Sequence, residues 1–452
     1  MSTLYHPDAT DPSVPIGSFW EADAPAAEHP TPALDGEHDV DVAVIGGGYT
    51  GLSAALTLAR DQRAKVGVLD AGAPGWGASG RNGGFCAMGG IKISYETMIR
   101  RYGMVDTVAF HEAQVQSIQT VRDIAAREAI DFDAIGAGEY AIAHKPNRFR
   151  EMLQERDFLK RTFGMDCPVL GPDEMAGAGL SGAGFHGALL YPVGFGLHPM
   201  KYARGLSDAC VRRGVAVHGQ SPVVAWRREK GAHVLVTPKG ALRARSVIIA
   251  TNGYTPEGLL PGLAGRTLPV PSNIIVTRPL SPDEQAAQGF TSHTPAFDSR
   301  ILLHYFRLLP DGRFLIGARG GLDGSRNATA EMRAKLESDF RAMFPAWSGV
   351  EITHFWRGFI CMTRDRVPHV GVLDDGPAGP VYYGFGYHGS GVAMGTWTGA
   401  ALGRLAGNGG DFKAAGIPRV MTQPLGAFPL PALRLYYLRL ALLGYRVKDA
   451  LL

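Results

Sequence analysis

One stretch of the chain, residues 41–70, constrains the fold more than any other. An apolar run leads into a turn with three spaced glycines, an alanine- and leucine-rich segment follows, and a second apolar run ends at Asp70. In the turn, Gly46 permits a tight bend, Gly48 lets the backbone approach a pyrophosphate, and Gly51 lets a helix pack closely on a sheet. Asp70 follows Gly51 by nineteen residues, a spacing that suits a carboxylate bound to a ribose. The stretch predicts a strand–helix–strand unit that binds a dinucleotide, with its phosphates at the helix N-terminus.

A second glycine-rich segment, residues 75–84, follows shortly after this unit. Its sequence, GWGASGRNGG, is too small and polar for a core strand or a stable helix. We expect a loop that lies flat against the ligand. NAD sites of this type do not need such a loop here, whereas flavoproteins that lay FAD across the sheet often have one, so the segment favours FAD.

With this segment the chain resembles a known family, the D-amino-acid oxidase superfamily of FAD-dependent amine oxidoreductases. It is most similar to the gamma-glutamylputrescine oxidase branch, whose members carry a similar GASGRNGG segment after the second strand. Further matching segments lie, in chain order, at 18–20, 30–36, 196–206, 247–254, 305–313, 356–358, 363–368 and 383–392. Ordered matches along nearly the whole chain are more specific than any single motif.

The resemblance implies the fold class and the domain organisation. We expect an α/β protein in which a Rossmann-like, glutathione-reductase-type FAD-binding domain is interleaved with an α+β substrate domain built on an antiparallel sheet. The FAD-binding domain is expected to comprise residues 1–95, 190–255 and 350–452, with an N-terminal leader and a C-terminal helix. The substrate domain is expected to comprise residues 96–189 and 256–349.

Local patterns in the substrate segments are consistent with that division. Residues 138–144 alternate as in a strand, and residues 147–163 and 328–344 have helical periodicity with charged faces. Residues 301–307 and 314–317, joined by Pro-Asp-Gly, predict a hairpin. These elements predict an antiparallel sheet that covers the flavin.

The resemblance also implies which residues contact FAD. They are Gly46, Gly48, Tyr49, Thr50, Gly51, Asp70, Ala71, Gly77, Ala78, Ser79, Arg81, Asn82, Gly83, Gly84, Val223, Ala250, Thr251, Asn252, Trp356, Gly358, Asp365, Gly386, Gly389, Ser390, Gly391 and Val392. Cys361 lies nearer to Asp365 than the flavin-attaching cysteine of sarcosine-oxidase relatives would, and residues 75–84 contain no histidine. We therefore expect FAD to be held non-covalently.

Composition excludes other classes of function. The net charge is +3, from 45 basic and 42 acidic residues, so nothing indicates nucleic-acid binding. The four cysteines form no CxxC pair, so we expect neither disulfides nor a metal site, and a reducing cytoplasm is the default location. The N-terminus lacks a basic start and an apolar run, so we expect no secretory signal.

Residues 428–452 predict an apolar C-terminal helix that carries four basic side chains, among them Arg434 and Arg439. One interpretation is a basic amphipathic helix at a membrane surface. The other, which we favour, is a terminal helix packed on the FAD domain with its arginines at the rim, because its apolar runs are too short to span a bilayer.

The expected chemistry follows from the flavin. An amine substrate places its Cα–H over flavin N5 and passes a hydride, and the imine product is then hydrolysed. The N–H groups of the turn Gly389-Ser390-Gly391 can stabilise negative charge on the reduced ring. No catalytic base is needed if the neutral amine reacts.

Candidate residues for the substrate pocket are the polar ones near the flavin. We predict catalytic roles for His304, Tyr305, Arg307 and His388, with Arg319 as a further pocket residue. The lysines that sarcosine-oxidase relatives place after the last glycine turn and near N5 are missing from the comparable segments. The electron acceptor is therefore open between O2 and another acceptor. Oxidation of a 2-hydroxy acid and a non-catalytic FAD-fold module remain alternatives.

Overall fold

The structure is a computed structural model that describes residues 4–321, 325–374 and 376–451. Its helices are α1 (Phe19–Asp23), α2 (Tyr49–Gln62), α3 (Tyr95–Glu128), α4 (Pro146–Phe163), α5 (Pro199–Arg212), α6 (Pro282–Gln288), α7 (Arg326–Met343), α8 (Ala393–Gly407) and α9 (Arg434–Leu451). Its strands are β1 (Gly36–Ile45), β2 (Val66–Leu69), β3 (Phe85–Cys86), β4 (Glu139–Ile142), β5 (Val169–Leu170), β6 (Ala188–Tyr191), β7 (Phe195–Gly196), β8 (Ala216–His218), β9 (Ala225–Glu229), β10 (Ala232–Val236), β11 (Gly240–Ile249), β12 (Leu268–Pro279), β13 (Ala296–Asp298), β14 (His304–Leu308), β15 (Arg313–Arg319), β16 (Ile352–Met362), β17 (His369–Asp374) and β18 (Val381–Phe385).

The predicted strand–helix–strand unit is β1–α2–β2, which confirms the α/β class. Strands β18, β11, β1, β2 and β8 run parallel side by side, and β17, β10 and β9 extend this first sheet in antiparallel pairing. Every residue of β2 is buried, as is typical of a parallel strand covered on both faces.

Helices α2 and α8 pack against each other at unusually short range. A Cβ atom at Gly399 would lie 2.2 Å from the carbonyl oxygen of Thr50, and one at Gly403 would lie 2.8 Å from that of Ala54. Only glycine permits this approach, so the helix after the last glycine turn is held directly against the helix after the first.

The second sheet has the strand order β16-β12-β15-β14-β13-β4-β6-β5. All neighbouring pairs are antiparallel except β13 and β4, and the predicted hairpin is confirmed as β14–β15. Helix α7 covers one face, where Phe306, Phe314 and Phe344 form an aromatic core with Trp347. The substrate sheet therefore has its own hydrophobic core.

The strand pairing bears on the expected domain boundaries. Strand β16 pairs along its whole length with β12 of the second sheet, although it lies in the segment 350–452 that we assigned to the FAD domain. We propose the same interleaved division with the last FAD segment beginning after Met362.

Helix α9 packs on a different surface from the one expected. Its buried Leu438 and Leu442 contact Leu268 and Val270 of β12, so it covers the second sheet rather than the FAD domain. Arg434 is also buried instead of lying at the rim, because it donates a hydrogen bond to the Thr267 carbonyl at 2.7 Å.

The outward side of α9 has a different character. Its Leu440 and Leu443 side chains are more than half exposed. Within the described residues, no helix is both long and apolar enough to cross a bilayer. Contact of α9 with a membrane surface stays an untested hypothesis.

Candidate active site

A large cavity, about 970 Å³ in volume, lies where the two sheets meet. Ile45, Leu69 and Ala250, at or just after the carboxyl ends of β1, β2 and β11, line one end of it. Ligands of open parallel sheets bind at this edge. The size is at the upper limit for small-molecule pockets and suits a dinucleotide together with a substrate.

The first glycine turn shapes the end of the cavity nearest the first sheet. Gly46 has a φ of +110°, and a Cβ atom there would lie 2.8 Å from the carbonyl oxygen of Ala250. Gly48 precedes α2 without a side-chain cap, while the N–H of Tyr49 donates to the Ser79 hydroxyl at 2.9 Å. The next first-turn N–H groups have no acceptor within the helix. The residues present fit a pyrophosphate.

Asp70 lies at the end of β2 and lines the same part of the cavity. Its carboxylate accepts the N–H of Gly47 at 2.6 Å and that of Gly72 at 2.8 Å. Burial raises the pKa of Asp70, and these two hydrogen bonds oppose that rise. The carboxylate is held rigidly and keeps further lone pairs for ribose hydroxyls.

The loop 75–84 is tied down by arginine and tryptophan side chains. Arg81 donates to the carbonyl oxygens of Trp76 at 2.8 Å and Arg357 at 3.1 Å, and its guanidinium lies 4.3 Å from the Trp76 ring centre. Trp356 donates its indole N–H to the Arg81 carbonyl at 2.8 Å. The loop is therefore fixed against β16 of the second sheet and lines the cavity.

The last glycine turn is held by His388, which has a φ of +50°. Its Nδ1 lies 2.8 Å from the Gly90 carbonyl, and its Nε2 lies 3.1 Å from the backbone nitrogen of Thr363. The ring must therefore carry its proton on Nδ1, and burial lowers its pKa to about 3. Although His388 lines the cavity, both ring nitrogens are engaged by the protein, so we correct its predicted catalytic role to a positioning role.

Most of the expected FAD contacts lie along this cavity. The lining residues among them are Gly46, Gly48, Tyr49, Thr50, Asp70, Ala71, Gly77, Ala78, Ser79, Arg81, Asn82, Gly83, Val223, Ala250, Thr251, Asn252, Gly358, Gly389, Ser390, Gly391 and Val392. Their arrangement supports the proposed set of cofactor contacts.

Five expected contacts are not among the residues that line the cavity, and we propose a supporting role for them. A Cβ at Gly51 would lie 1.8 Å from the Gly46 carbonyl oxygen, and one at Gly84 would lie 2.1 Å from that of Leu197. These two glycines serve backbone packing.

The other three act through hydrogen bonds to their neighbours. Trp356 bonds the loop at Arg81, and the N–H of Gly386 donates to the side chain of Asn252 at 3.0 Å. The Asp365 carboxylate lies 2.9 Å from Nε2 of His369. None of these three residues is among those that line the cavity.

Two predicted pocket residues, Tyr305 and Arg319, do line the cavity. The Tyr305 hydroxyl lies 2.9 Å from the Ser272 hydroxyl. Arg319 donates to the carbonyl oxygen of His388 at 3.3 Å, which places its guanidinium beside the last glycine turn. Both remain candidates for substrate contact.

Arg307 lies outside the large cavity, and its predicted substrate contact is corrected. The side chain is only 1% exposed and donates to the carbonyl oxygens of Gly83 at 3.0 Å and Leu197 at 2.5 Å. Its guanidinium lies 5.5 Å from the Trp20 ring centre. Arg307 joins the end of the glycine loop to the residues around β7 and cannot reach a substrate.

His304 is also outside the cavity, in a buried ion cluster. Its ring nitrogens lie 2.8 Å from the Asp298 carboxylate and 3.1 Å from that of Asp339. Burial disfavours the charged ring, but hydrogen bonds and the charges of the two carboxylates outweigh it and raise the pKa of His304 to about 9. Its predicted catalytic role is corrected to a structural one.

This cluster predicts a pH-dependent stability. Because the folded-state pKa of His304 lies above the ordinary value of about 6.5, its contribution is complete below about pH 6.5 and is lost as the pH rises through about 9. We expect the unfolding free energy to fall by up to about 3 kcal/mol across that window. Urea unfolding of the wild type and of His304→Gln measures this. A variant that kept the full slope would contradict the assignment.

Sequence reasoning missed several charged residues of the cavity, among them Lys92 and Glu139. Burial, with a contribution from the Arg319 charge, lowers the pKa of Lys92 to about 7. Burial raises the pKa of Glu139 to about 8, which the Lys92 charge opposes. Two signals in the sequence could have indicated them. Lys92 stands alone between two isoleucines, and Glu139 shares one face of a predicted strand with two alanines.

Cys361 of β16 is buried and borders the cavity, and burial raises the pKa of its thiol to about 12. A thiol in this state is a poor nucleophile. We expect acid precipitation to release the flavin into the supernatant, in both the wild type and Cys361→Ser. Colour in the wild-type pellet that is lost in the variant would indicate a thioether at this residue.

The fold and the cavity define the class: an α/β protein whose dinucleotide-type site is covered by a second sheet. A family model described as FAD dependent oxidoreductase (DAO) matches residues 41–405. The chain belongs to this family, its cofactor is FAD, and the predicted family and enzyme class are confirmed.

Individual proteins that are similar to this chain are also oxidoreductases by name. The probable oxidoreductase OrdL of Haemophilus influenzae is 32% identical over 366 residues, which cover 80% of this chain and 82% of the relative. The gamma-glutamylputrescine oxidoreductase of Escherichia coli is 32% identical over 352 residues, 78% of this chain and 80% of the relative. The solved glycine oxidase of Geobacillus kaustophilus superposes with a TM-score of 0.68 at 22% identity, covering 82% of this chain and 95% of that one. This last likeness concerns the fold alone.

Proposed function

We propose that the protein oxidises the C–N bond of a primary or secondary amine, with the imine hydrolysed afterwards. FAD supplies the hydride acceptor, and O2 or another acceptor reoxidises it. The observation that carries the proposal is the state of His388, the one imidazole among the described lining residues. Its two nitrogens are engaged, so it offers no base for the hydroxyl of a 2-hydroxy acid. A neutral amine requires none.

We call the part of the cavity beside the last glycine turn its inner end. The positive charges there favour the neutral form of the reacting amine. Lys92 and Arg319 lie near each other there, and each disfavours a further positive charge. Arg319 can also pair with a substrate carboxylate through two parallel hydrogen bonds. This agrees with an amine that carries a carboxylate elsewhere in its chain.

Replacement of Arg319 tests this anchor. We expect Arg319→Met to raise KM for a carboxylate-bearing amine by about tenfold or more and to change kcat little, because a contact present in both ground and transition states contributes uniform binding. Arg313→Met on the same strand is the control, since Arg313 pairs with Asp311 outside the cavity. Equal effects of the two substitutions on KM would refute the anchor.

The reaction class itself is tested with the purified, FAD-loaded enzyme in the absence of oxygen. Amines and 2-hydroxy acids are added in parallel, and bleaching of the flavin absorbance reports reduction without any assumption about the acceptor. We expect amines to bleach it, with kcat/KM rising with pH until the free amine is deprotonated. Bleaching by 2-hydroxy acids and by no amine would end the proposal.

A further inference from the structure

Beyond Lys92 the cavity continues into an outer chamber with walls from α3, α4, β4 and β6. We define it by Tyr95, Glu139, Glu155, Phe158 and Tyr191, all of which line the cavity. None of these five residues belongs to the glycine turns that fit FAD, and Gln114 separates Tyr95 from Gly89, which lies beside the last of those turns. The chamber is therefore available to a part of the substrate other than the reacting amine.

Glu139 is the distinctive group of this chamber. Its side chain is only 9% exposed, and among the described residues no hydrogen bond or ion pair reaches its carboxylate. Lys92 is its nearest electrostatic partner but does not form an ion pair with it. Because the protein supplies no donor to this carboxylate, its hydrogen bonds must come from whatever occupies the cavity.

The sheet register places suitable neighbours beside Glu139. Tyr191 lies directly opposite it in the β4–β6 pair, and Phe297 lies opposite Ala141 in the β13–β4 pair, so all three side chains share one face. The Tyr191 hydroxyl donates to the carboxylate of Glu155 at 2.6 Å. Carboxylates beside aromatic faces suit a cation.

The sign of the charge thus changes from one end of the cavity to the other. Its inner end holds Lys92 and Arg319, and its outer chamber holds Glu139 and Glu155. A molecule with two amino groups fits this gradient in one orientation, with its neutral amine at the inner end and its ammonium in the chamber.

We propose that Glu139, with Glu155 beside it, binds a protonated amino group of the substrate remote from the amine that is oxidised, so that the substrate class is a diamine. This rests on the proposed amine oxidation. The ammonium supplies the donors that the Glu139 carboxylate lacks within the protein, and its charge favours the ionised form of that carboxylate against the effect of burial. Lys92 and Arg319 repel a positively charged ammonium from the inner end, so the substrate binds in one direction only.

The test compares diaminobutane, diaminopentane and diaminooctane, each with the alkyl monoamine of the same chain length, on the holoenzyme. We expect at least one diamine to exceed its monoamine in kcat/KM by about 10- to 100-fold, as a charge-assisted hydrogen bond implies. Glu139→Gln should remove that preference and leave the monoamine within about twofold. Calorimetry with the dithionite-reduced holoenzyme, where no turnover occurs, should show the same difference in Kd.

Glu151→Gln is the matched control, because Glu151 lines the same chamber but already pairs with Arg148 at 2.7 Å. It should keep the preference for the diamine. If Glu139→Gln fails to fold, Glu155→Gln, at an exposed position, should reduce the preference partially.

The outcomes separate the two proposals. Equal kcat/KM and equal Kd for diamine and monoamine in the wild type would overturn the ammonium site and leave amine oxidation standing. A wild-type preference that survives in both Glu139→Gln and Glu155→Gln would also overturn it. Absence of flavin bleaching by every amine would refute the proposed function itself.

Discussion

Gly48→Val should purify without FAD. Gly48 lies at the start of α2 and lines the cavity, and its backbone approaches the place where a pyrophosphate fits. A Cβ atom there would already lie 2.8 Å from the Ser79 hydroxyl, and two further methyl groups would extend into the cavity that Gly48 lines. We expect affinity for FAD to fall by on the order of 100-fold or more, about 3 kcal/mol. The ratio of flavin to protein absorbance after purification measures this.

Three further variants make the result interpretable. Gly349→Val introduces the same side chain at an exposed glycine with no atom nearby, and it should keep full FAD content. Gly48→Ala combined with Ser79→Ala removes the clash with the hydroxyl and keeps a methyl group facing the ligand; it should fold and still bind FAD weakly, whereas Ser79→Ala alone should bind better. Full FAD content in Gly48→Val would show that the phosphates lie elsewhere.

A smaller loss is expected at the ribose. Asp70→Asn should weaken FAD binding by on the order of 1.5–3 kcal/mol, the range for hydrogen bonds to a charged group. We prefer it to Asp70→Ala, because asparagine keeps one acceptor oxygen for the N–H groups of Gly47 and Gly72, whereas alanine keeps none.

Arg307→Met should destabilise the protein by about 3–5 kcal/mol, because two carbonyl oxygens inside the protein lose a charged donor. The guanidinium fills the space between the glycine loop and β7, where Cβ atoms at Gly84 and Gly196 would each lie 2.3 Å from its nitrogens. Loss of that support should also loosen the loop over the cofactor. Chemical unfolding of apo and FAD-loaded protein measures both effects.

The control for this variant is Arg333→Met on the exposed face of α7, where the guanidinium forms an ion pair with Glu337, one turn further along the helix. We expect a change within about 0.5 kcal/mol there. If Arg307→Met kept wild-type stability and instead raised KM for an amine, the substrate contact first predicted for Arg307 would be restored.

The sequence predicted the position of Gly48 in the cavity but not that of Arg307 outside it, because the two roles depend on neighbours at different distances along the chain. The role of Gly48 depends on neighbours close in sequence, since the strand before it and the helix after it form the phosphate site locally. Arg307 acts on carbonyls 224 and 110 residues away, at Gly83 and Leu197. Alternation along β14 indicates that Arg307 and Tyr305 share a face, but not which of them meets a cavity.

The sequence alone determined the parts of this protein that are built from short-range signals. The strand–glycine turn–helix unit, the loop 75–84, the β14–β15 hairpin and the FAD-dependent family all follow from contiguous motifs, because turn chemistry and periodicity act over a few residues. Tertiary structure decided the rest. It placed His304 in an ion cluster, seated α9 on β12, and brought Lys92 and Glu139 into one cavity, because burial and charge pairing depend on which distant segments meet.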